Sequence, residues 1–473
     1  MSPRTKPRRP TSRPGWRNSL RNSPSWATEE PTTTYDEAVA YLNDHVGQGI
    51  RPGLDRTRRA LELMGDPHTA YPVILVAGSN GKTSTARLIS SVLMAHGLRV
   101  GTYISPHLEA VEERLALDTE SASPDEFAAA VADIQPFVDL FEEREGARLT
   151  YFELTTVLAF SYFAANPIDV AVVEVGMGGR LDATNVASAA VAVVTGISLE
   201  HTEVLGDTLE LIAGEKVAIA EPGGLLVTGR LPEPAGRTVA AYAVDHELEW
   251  RRLGVEVNVA DAVVAVGGWQ VTVEGIYGRY EELMLPLHGR YQTDNLAVAL
   301  AACETFFGRE LSHEAVAIGV RAVSVPGRLE VLGREPLLVL DGGHNPEGVA
   351  VAAIALEESF GDRAWVAVVG VMADKDVDGV VDGLSGVVEH VVTTAVDHER
   401  AMDPVALAAI VEERLGVTAD PVVGVAAAVE RALGLAGETG SVLVIGSLYL
   451  AGTVRSLVLR SVRSETTWSG EGW

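Results

Sequence analysis

Gly78-Ser79-Asn80-Gly81-Lys82-Thr83-Ser84 is a run of small residues closing on one lysine and two or three hydroxyls, directly after the apolar Val73-Ile74-Leu75-Val76. Small side chains let successive backbone N–H groups turn inward onto a phosphate. Lys82 adds a positive point charge, and Thr83 or Ser84 can reach Mg²⁺. The chemistry indicated is nucleotide phosphate binding, at the start of a helix whose dipole also favours an anion. Val76 stands where the longer form of this loop begins with glycine.

A second group of residues suits a hard cation. Glu174 lies in Val173-Glu174-Val175-Gly176-Met177-Gly178-Gly179-Arg180-Leu181-Asp182-Ala183-Thr184-Asn185, at the end of an apolar run. A carboxylate at the end of a parallel strand faces the crevice where ligands bind, and its oxygens suit Mg²⁺. Glu200-His201 and Gly214-Glu215-Lys216 follow. Lys216 is one of only four lysines, with Lys6, Lys82 and Lys375, among 37 basic residues.

These residues need a framework that brings them together. Val73–Val76, Ile168–Val175, Ala190–Thr195 and Leu225–Thr228 read as strands separated by helical patterns such as 83–95. Strands alternating with helices predict βαβ units and a mostly parallel sheet. Residues 255–273, rich in valine and glycine, predict a small β insertion. A second series after Pro326-Gly327-Arg328 has strands at Leu337–Leu340, Trp365–Val369, Val388–Thr393 and Val442–Ile445. The expected fold is α/β: a parallel-sheet domain carrying the phosphate loop over residues 31–324, then a smaller α/β domain over residues 325–473.

Composition narrows the possible partners. The chain of 473 residues carries 37 Lys+Arg against 65 Asp+Glu, a net charge of -28. The first 28 residues hold seven basic residues and no acid, so the remainder stands near -35. Residues 1–30 read as a basic, disordered tail. The acidic body argues against nucleic acid as its partner. It suggests adaptation to high salt, which assays across KCl concentration would test. No apolar run approaches the roughly 18 residues of a membrane span, and one cysteine, Cys303, excludes a disulfide framework. A cytoplasmic monomer is expected.

From about Tyr35 to Gly452 the motifs resemble the folylpolyglutamate synthase and dihydrofolate synthase family, within the Mur ligases. The shortened phosphate loop and the Gly-Gly-Arg-Leu-Asp-Ala-Thr-Asn string carry the resemblance most specifically. It implies that Gly78, Ser79, Asn80, Gly81, Lys82, Thr83 and Ser84 bind ATP with Asn295, Arg328 and Asp341. The implied metal ligands are Thr83, Ser84, Glu174, His201 and Lys216, the lysine carbamylated. The catalytic set is Lys82, Lys216, His201, Arg328, Asp341 and His344. Ser105, His107, Arg114, Phe152, Glu153, Gly179, Arg180 and Asp182 are expected on the substrate side. Glu200 stands where the family commonly has Asp. The resemblance implies that the first domain binds ATP, that the second is Rossmann-like, and that the active site lies in the cleft between them. It also implies an ATP-dependent ligase of folate and one-carbon metabolism that joins L-glutamate to a folate or dihydropteroate carboxylate through an acyl phosphate. A ligase acting on nucleotide-linked peptidoglycan precursors, and a nucleotide switch that forms no amide bond, are the alternatives. Asn345-Pro346 and Asp376 read equally as helix starts.

Overall fold

Val73–Ala77 (β1) is buried along its whole length, because a central parallel strand is covered on both faces. The computed structural model describes residues 33–49 and 51–464; the tail expected over residues 1–30 lies outside them. Around β1 the chain assembles β2 (Val100–Tyr103), β3 (Leu115–Leu117), β4 (Glu120–Ser121), β5 (Val170–Glu174), β6 (Ala189–Val194), β7 (Leu225–Thr228) and β8 (Glu249–Arg252). Their order is β4-β3-β2-β5-β1-β6-β7-β8. From β2 across to β8 the pairing is parallel, while β3 and β4 form an antiparallel edge.

The β insertion is an antiparallel sheet of β9 (Asn258–Ala265), β10 (Gly268–Glu274) and β11 (Arg279–Leu285), in the order β11-β10-β9. It extends beyond the expected Val273. Trp269, Val271, Tyr280 and Leu283 turn inward and share one core with the helices Lys82–Ala95 and Tyr291–Phe307. Glu304, on the latter helix, ties the insertion down. Its carboxylate accepts from the N–H groups of Ile276, Tyr277 and Gly278 and from the Tyr280 hydroxyl. Cys303 beside it is fully buried core, and burial pushes its thiol well above the usual range.

The second sheet takes β12 (Glu330–Arg334), β13 (Leu337–Leu340), β14 (Trp365–Val369), β15 (Val388–Thr393), β16 (Thr418–Pro421) and β17 (Ser441–Ile445) in the order β12-β13-β17-β14-β15-β16. Only β12 runs antiparallel to its neighbour. Asn345 caps the helix Pro346–Phe360 by accepting from Gly348 N–H, and Asp376 caps Val377–Asp382 in the same way. Capping therefore accounts for both residues.

The two sheets meet through the C-terminal helix Leu448–Ser464. At Gly452 the helix lies against the loop before β3, so close that a Cβ there would sit 1.9 Å from the Leu108 carbonyl oxygen. Arg455 pairs with Glu109 across the seam and with Glu330 on β12, and the Ser456 hydroxyl donates to Glu109 at 2.6 Å. No helix among the described residues is long and apolar enough to cross a membrane.

Candidate active site

The carboxyl ends of β1, β5, β6 and β13 open on one cavity of about 370 Å³. Strand ends of an open α/β sheet are where loops can diverge and leave a crevice. The phosphate loop spans from β1 to the N-terminus of the helix Lys82–Ala95. Gly78 and Gly81 have φ of 153° and 82°, and neither site has room for a side chain: a Cβ on Gly78 would meet the Thr195 hydroxyl, and one on Gly81 the Asn295 amide. The loop is braced from β6. Thr195 donates its hydroxyl to the Asn80 carbonyl at 2.6 Å, and Ser79 N–H donates to Gly196 O at 2.9 Å. Lys82 Nζ folds onto the Gly78 and Ser79 carbonyls at 2.8 and 3.1 Å.

Glu174 closes β5 with 1% of its surface exposed. The Thr83 hydroxyl donates to its carboxylate, and Ser105 N–H does so at 3.3 Å. Burial pushes the Glu174 carboxyl above the usual range, against the pull of Lys82. Ser84 is not the hydroxyl on this carboxylate. Its Oγ instead accepts from Gln292 Nε2 at 3.3 Å, so of the two expected metal-facing hydroxyls only Thr83 stands beside Glu174. His201, which lines the same cavity, holds φ at 46° at the start of the short helix Thr202–Leu205. Burial lowers its pKa.

Lys216 lies just beneath the floor, 1% exposed. It arrives on the helix Leu209–Val217, and its Nζ reaches the Gly78 carbonyl at 3.0 Å and Glu200 Oε1 at 2.6 Å. Burial, reinforced by the neighbouring charge of Lys82, brings its pKa down to about 8. Burial opposes the charge on Glu200, yet Lys82 and Lys216 hold that carboxyl below the usual range.

The opposite wall belongs to the second half of the chain. Arg328, Asp341, Gly342, Gly343 and His344 line it, with Leu448. Asp341 follows β13 and is held by the N–H groups of Leu329 and Gly343, at 2.9 and 2.7 Å. Burial raises its pKa, opposed first by Arg328. His344 Nδ1 lies 3.0 Å from the Gly342 carbonyl, and burial lowers its pKa. Asn295 lines the first wall, its amide donating to Gln292 at 2.9 Å. Asn80 and Glu347 meet across the gap at 2.7 Å.

The residues expected on the substrate side divide. Ser105 lines the main cavity. His107 borders a small adjoining recess with Thr83 and Arg328. Arg114 Nε donates to His107 Nδ1 at 3.0 Å, which requires a neutral imidazole, and burial with the Arg114 charge takes the His107 pKa down to about 4. Phe152 packs its ring against Gly176, and Gly179 lies where a Cβ would press on the Glu215 carbonyl. Of the eight only Ser105 lines the main cavity, and the remaining three are engaged within the fold. Glu153 completes a capping box with Thr150 and pairs with Arg56, so its charge is satisfied within the fold. Asp182 caps the turn Ala183–Val186, accepting from Met177 N–H, Thr184 N–H and the Thr184 hydroxyl. Arg180 is spread over the helix Leu209–Val217, beside Glu215 and the Gly214 carbonyl.

Sequence reasoning missed Thr195, Gly229, Arg230 and Glu347, all of which line the cavity. Thr195 and Gly229 directly follow β6 and β7, and the strand-end rule that selected Glu174 would have found both. Glu347 carried no such signal, since only the packing of the two halves brings it to Asn80.

Two family models match the chain: the Mur ligase middle domain over residues 76–303, and the Mur ligase, glutamate ligase domain over residues 327–448. The dihydrofolate synthase/folylpolyglutamate synthase of Mycobacterium tuberculosis is 38% identical over 439 residues, covering 86% of this chain and 90% of that protein. A probable bifunctional folylpolyglutamate synthase/dihydropteroate synthase of Haloferax volcanii is also 38% identical, and the match spans about half (51%) of its length. Among solved structures, Mycobacterium tuberculosis folylpolyglutamate synthase complexed with ADP superposes with a TM-score of 0.85 at 36% identity, covering 90% of this chain and 99% of that one. Escherichia coli FolC in complex with DHPP and ADP gives 0.81 at 32%, covering 92% and 100%. With sequence, both domain models and the whole fold in agreement, the chain belongs to the folylpolyglutamate synthase/dihydrofolate synthase family of Mur ligases.

Proposed function

We propose that the chain is an ATP-dependent ligase of folate metabolism that joins L-glutamate to a folate or dihydropteroate carboxylate through an acyl phosphate. One observation carries this reading: a phosphate loop and a strand-end carboxylate share a single cavity with Arg328, Asp341 and His344 from the second half of the chain. A nucleotide switch needs only the first wall. An amide ligase needs both, since it must hold nucleotide, acceptor and amine together while excluding the water that would hydrolyse an acyl phosphate.

The backbone of residues 78–83 would hold the phosphates of ATP, with Lys82 turning from the loop carbonyls onto them and Arg328 meeting them from across the cleft. The acceptor carboxylate attacks the γ-phosphorus, and ADP leaves. The glutamate amine then attacks the acyl carbon, and phosphate departs. Lys82 and Arg328 offset the charge on the transferred group.

Thr83 and Glu174 converge in a way that suits Mg²⁺, and His201 lines the same cavity. Among the described residues no three His, Cys, Asp or Glu side chains converge as a metal cage. This supports an ion held partly by the substrate's phosphates, the habit of Mg²⁺. When bound it would neutralise phosphate charge. Lys216 is suited to carbamylation: a pKa near 8 supplies neutral amine for CO₂, and the one N–H that a carbamate retains can keep the Gly78 carbonyl. Glu200 would then have to yield its place. Both walls come from one chain, which supports a monomer, and its use of ATP and folates supports a cytoplasmic location.

Mass spectrometry of products formed from ATP, L-glutamate and, separately, dihydropteroate or tetrahydrofolate tests the reading. A product heavier by one glutamyl residue is expected with at least one acceptor. ATP hydrolysis that needs neither acceptor nor glutamate would overturn it in favour of a switch.

A further inference from the structure

Behind the nucleotide cavity, a second cavity of about 180 Å³ opens under the segment 322–324 that leads into Pro326-Gly327-Arg328. Its walls are the helix Lys82–Ala95, β2, the β3–β4 hairpin and that segment. Arg87 lies one helical turn beyond Thr83. It borders both this cavity and the recess that runs past His107 to Arg328.

The partners of Arg87 do not account for its charge. One weak hydrogen bond reaches the Ser324 carbonyl at 3.4 Å. Its Nε is shut off from solvent and has no partner, and among the described residues no carboxylate comes within 4.0 Å of the guanidinium. Arg455 shows the contrast, being pinned by Glu109 and Glu330. Burial works against the Arg87 charge, and Glu113 and Glu174 offset it only from beyond ion-pair distance, so an anion placed directly on its planar fork would be stabilised. Of the two acids on the cavity wall, Glu113 already accepts the N–H groups of Leu108, Glu109 and Ala110. Glu120 stands exposed at the rim. The cavity therefore offers a cation in depth and an anion at its mouth. Its volume suits an amino acid and is too small for a pteroate.

We propose that this cavity binds a small amino acid, with its carboxylate on Arg87 and its ammonium towards Glu120. The ligand would be an amino acid bound apart from turnover and bearing on the linker, since an ammonium held at Glu120 lies away from the recess that leads to Arg328. Only the choice of L-glutamate as probe rests on the proposed ligase activity; binding measured without ATP or acceptor stands independently of it.

The test is equilibrium dialysis of labelled L-glutamate against the full chain, with Arg87→Met and Arg87→Lys variants, alongside steady-state kinetics. Saturable binding is expected at millimolar concentration, weakened about tenfold or more in Arg87→Met and less in Arg87→Lys. A matching rise in KM for glutamate would place the probe at the reacting centre and overturn a site apart from turnover. Lost binding with unchanged KM identifies a separate site. Ligand-free Arg87→Met should melt no lower than the parent, because the half-buried guanidinium makes one weak hydrogen bond and no ion pair. Absence of binding, or equal binding by parent and Arg87→Met, overturns the proposal. So does a destabilised Arg87→Met whose loss is repaired by Arg87→Lys without any difference in glutamate binding.

Discussion

The hydroxyl of Thr83 stands 3.0 Å from both carboxylate oxygens of Glu174, joining the first turn of one helix to the end of a neighbouring strand. Neither residue is near the other in sequence. Their meeting depends on β5 lying beside β1 in parallel register, with Val76 opposite Glu174.

Glu174→Gln keeps the shape of this contact and removes its charge. Turnover should fall on the order of a hundredfold, the scale seen when one preorganised electrostatic group is lost. Melting with ADP, with and without Mg²⁺, isolates the cause: the parent should gain stability from Mg²⁺ with nucleotide, and the variant should lose that increment. An unchanged Mg²⁺ increment would remove Glu174 from the metal site.

Lys216→Ala deletes a buried cation and leaves Glu200 facing an empty space. Breaking one side of such a pair costs roughly 3–5 kcal/mol, so the urea midpoint should drop along with activity. A carbamate adds a second expectation. Parent activity should decline under rigorous CO₂ depletion and return with bicarbonate, while the residual activity of Lys216→Ala ignores both. Parent activity indifferent to CO₂ would leave Lys216 as an ammonium.

The Glu109–Arg455 pair is testable by exchanging its charges. Glu109→Arg and Arg455→Glu singly place like charges at the seam, and each should reduce kcat and raise salt sensitivity. The double exchange restores attraction between 109 and 455 but leaves Glu330 against a new acid, so recovery should be partial. A double variant no better than the product of the singles would show the pair to be uncoupled.

His107 makes stability depend on pH. Its folded pKa, about 4, lies below the ordinary value of 6.5, so the unfolded chain binds a proton more readily. The stabilisation is present above pH 6.5, fades as pH falls, and is gone below about 4, where both states are protonated. A shift of that size corresponds to no more than about 3 kcal/mol. Urea midpoints of parent and His107→Gln, compared at pH 7.5 and 5, should converge at the lower pH. Parallel losses in both proteins would place the dependence elsewhere.

Much of the site was legible because strand ends and glycine turns leave local marks. Val73–Val76 announced β1, the glycines announced the turn onto Lys82, and Glu174 ended an unbroken apolar run. Glu153 and Asp182 also serve as caps, which sequence could not show: a carboxylate before or within a first helical turn satisfies backbone N–H groups as readily as it meets a ligand. Ser84 followed Thr83 too closely for sequence to choose between their directions, which differ by about 100° around a helix. β16, Thr418–Pro421, escaped notice because an edge strand of four residues needs no apolar run. Arg87 was invisible for the opposite reason: an arginine on a helix implies solvent until the neighbouring segment is seen to cover it.

Gly452 sets the tolerance of the whole assembly. Where the C-terminal helix crosses the Leu108 carbonyl there is no side chain to compress and no solvent layer to thin. Even a methyl group would act as a wedge. Its effect would be geometric, shifting one wall of the cleft against the other while each keeps its own core and its own chemistry. A single carbon at that point would thus uncouple what each half can bind from what the two can accomplish together.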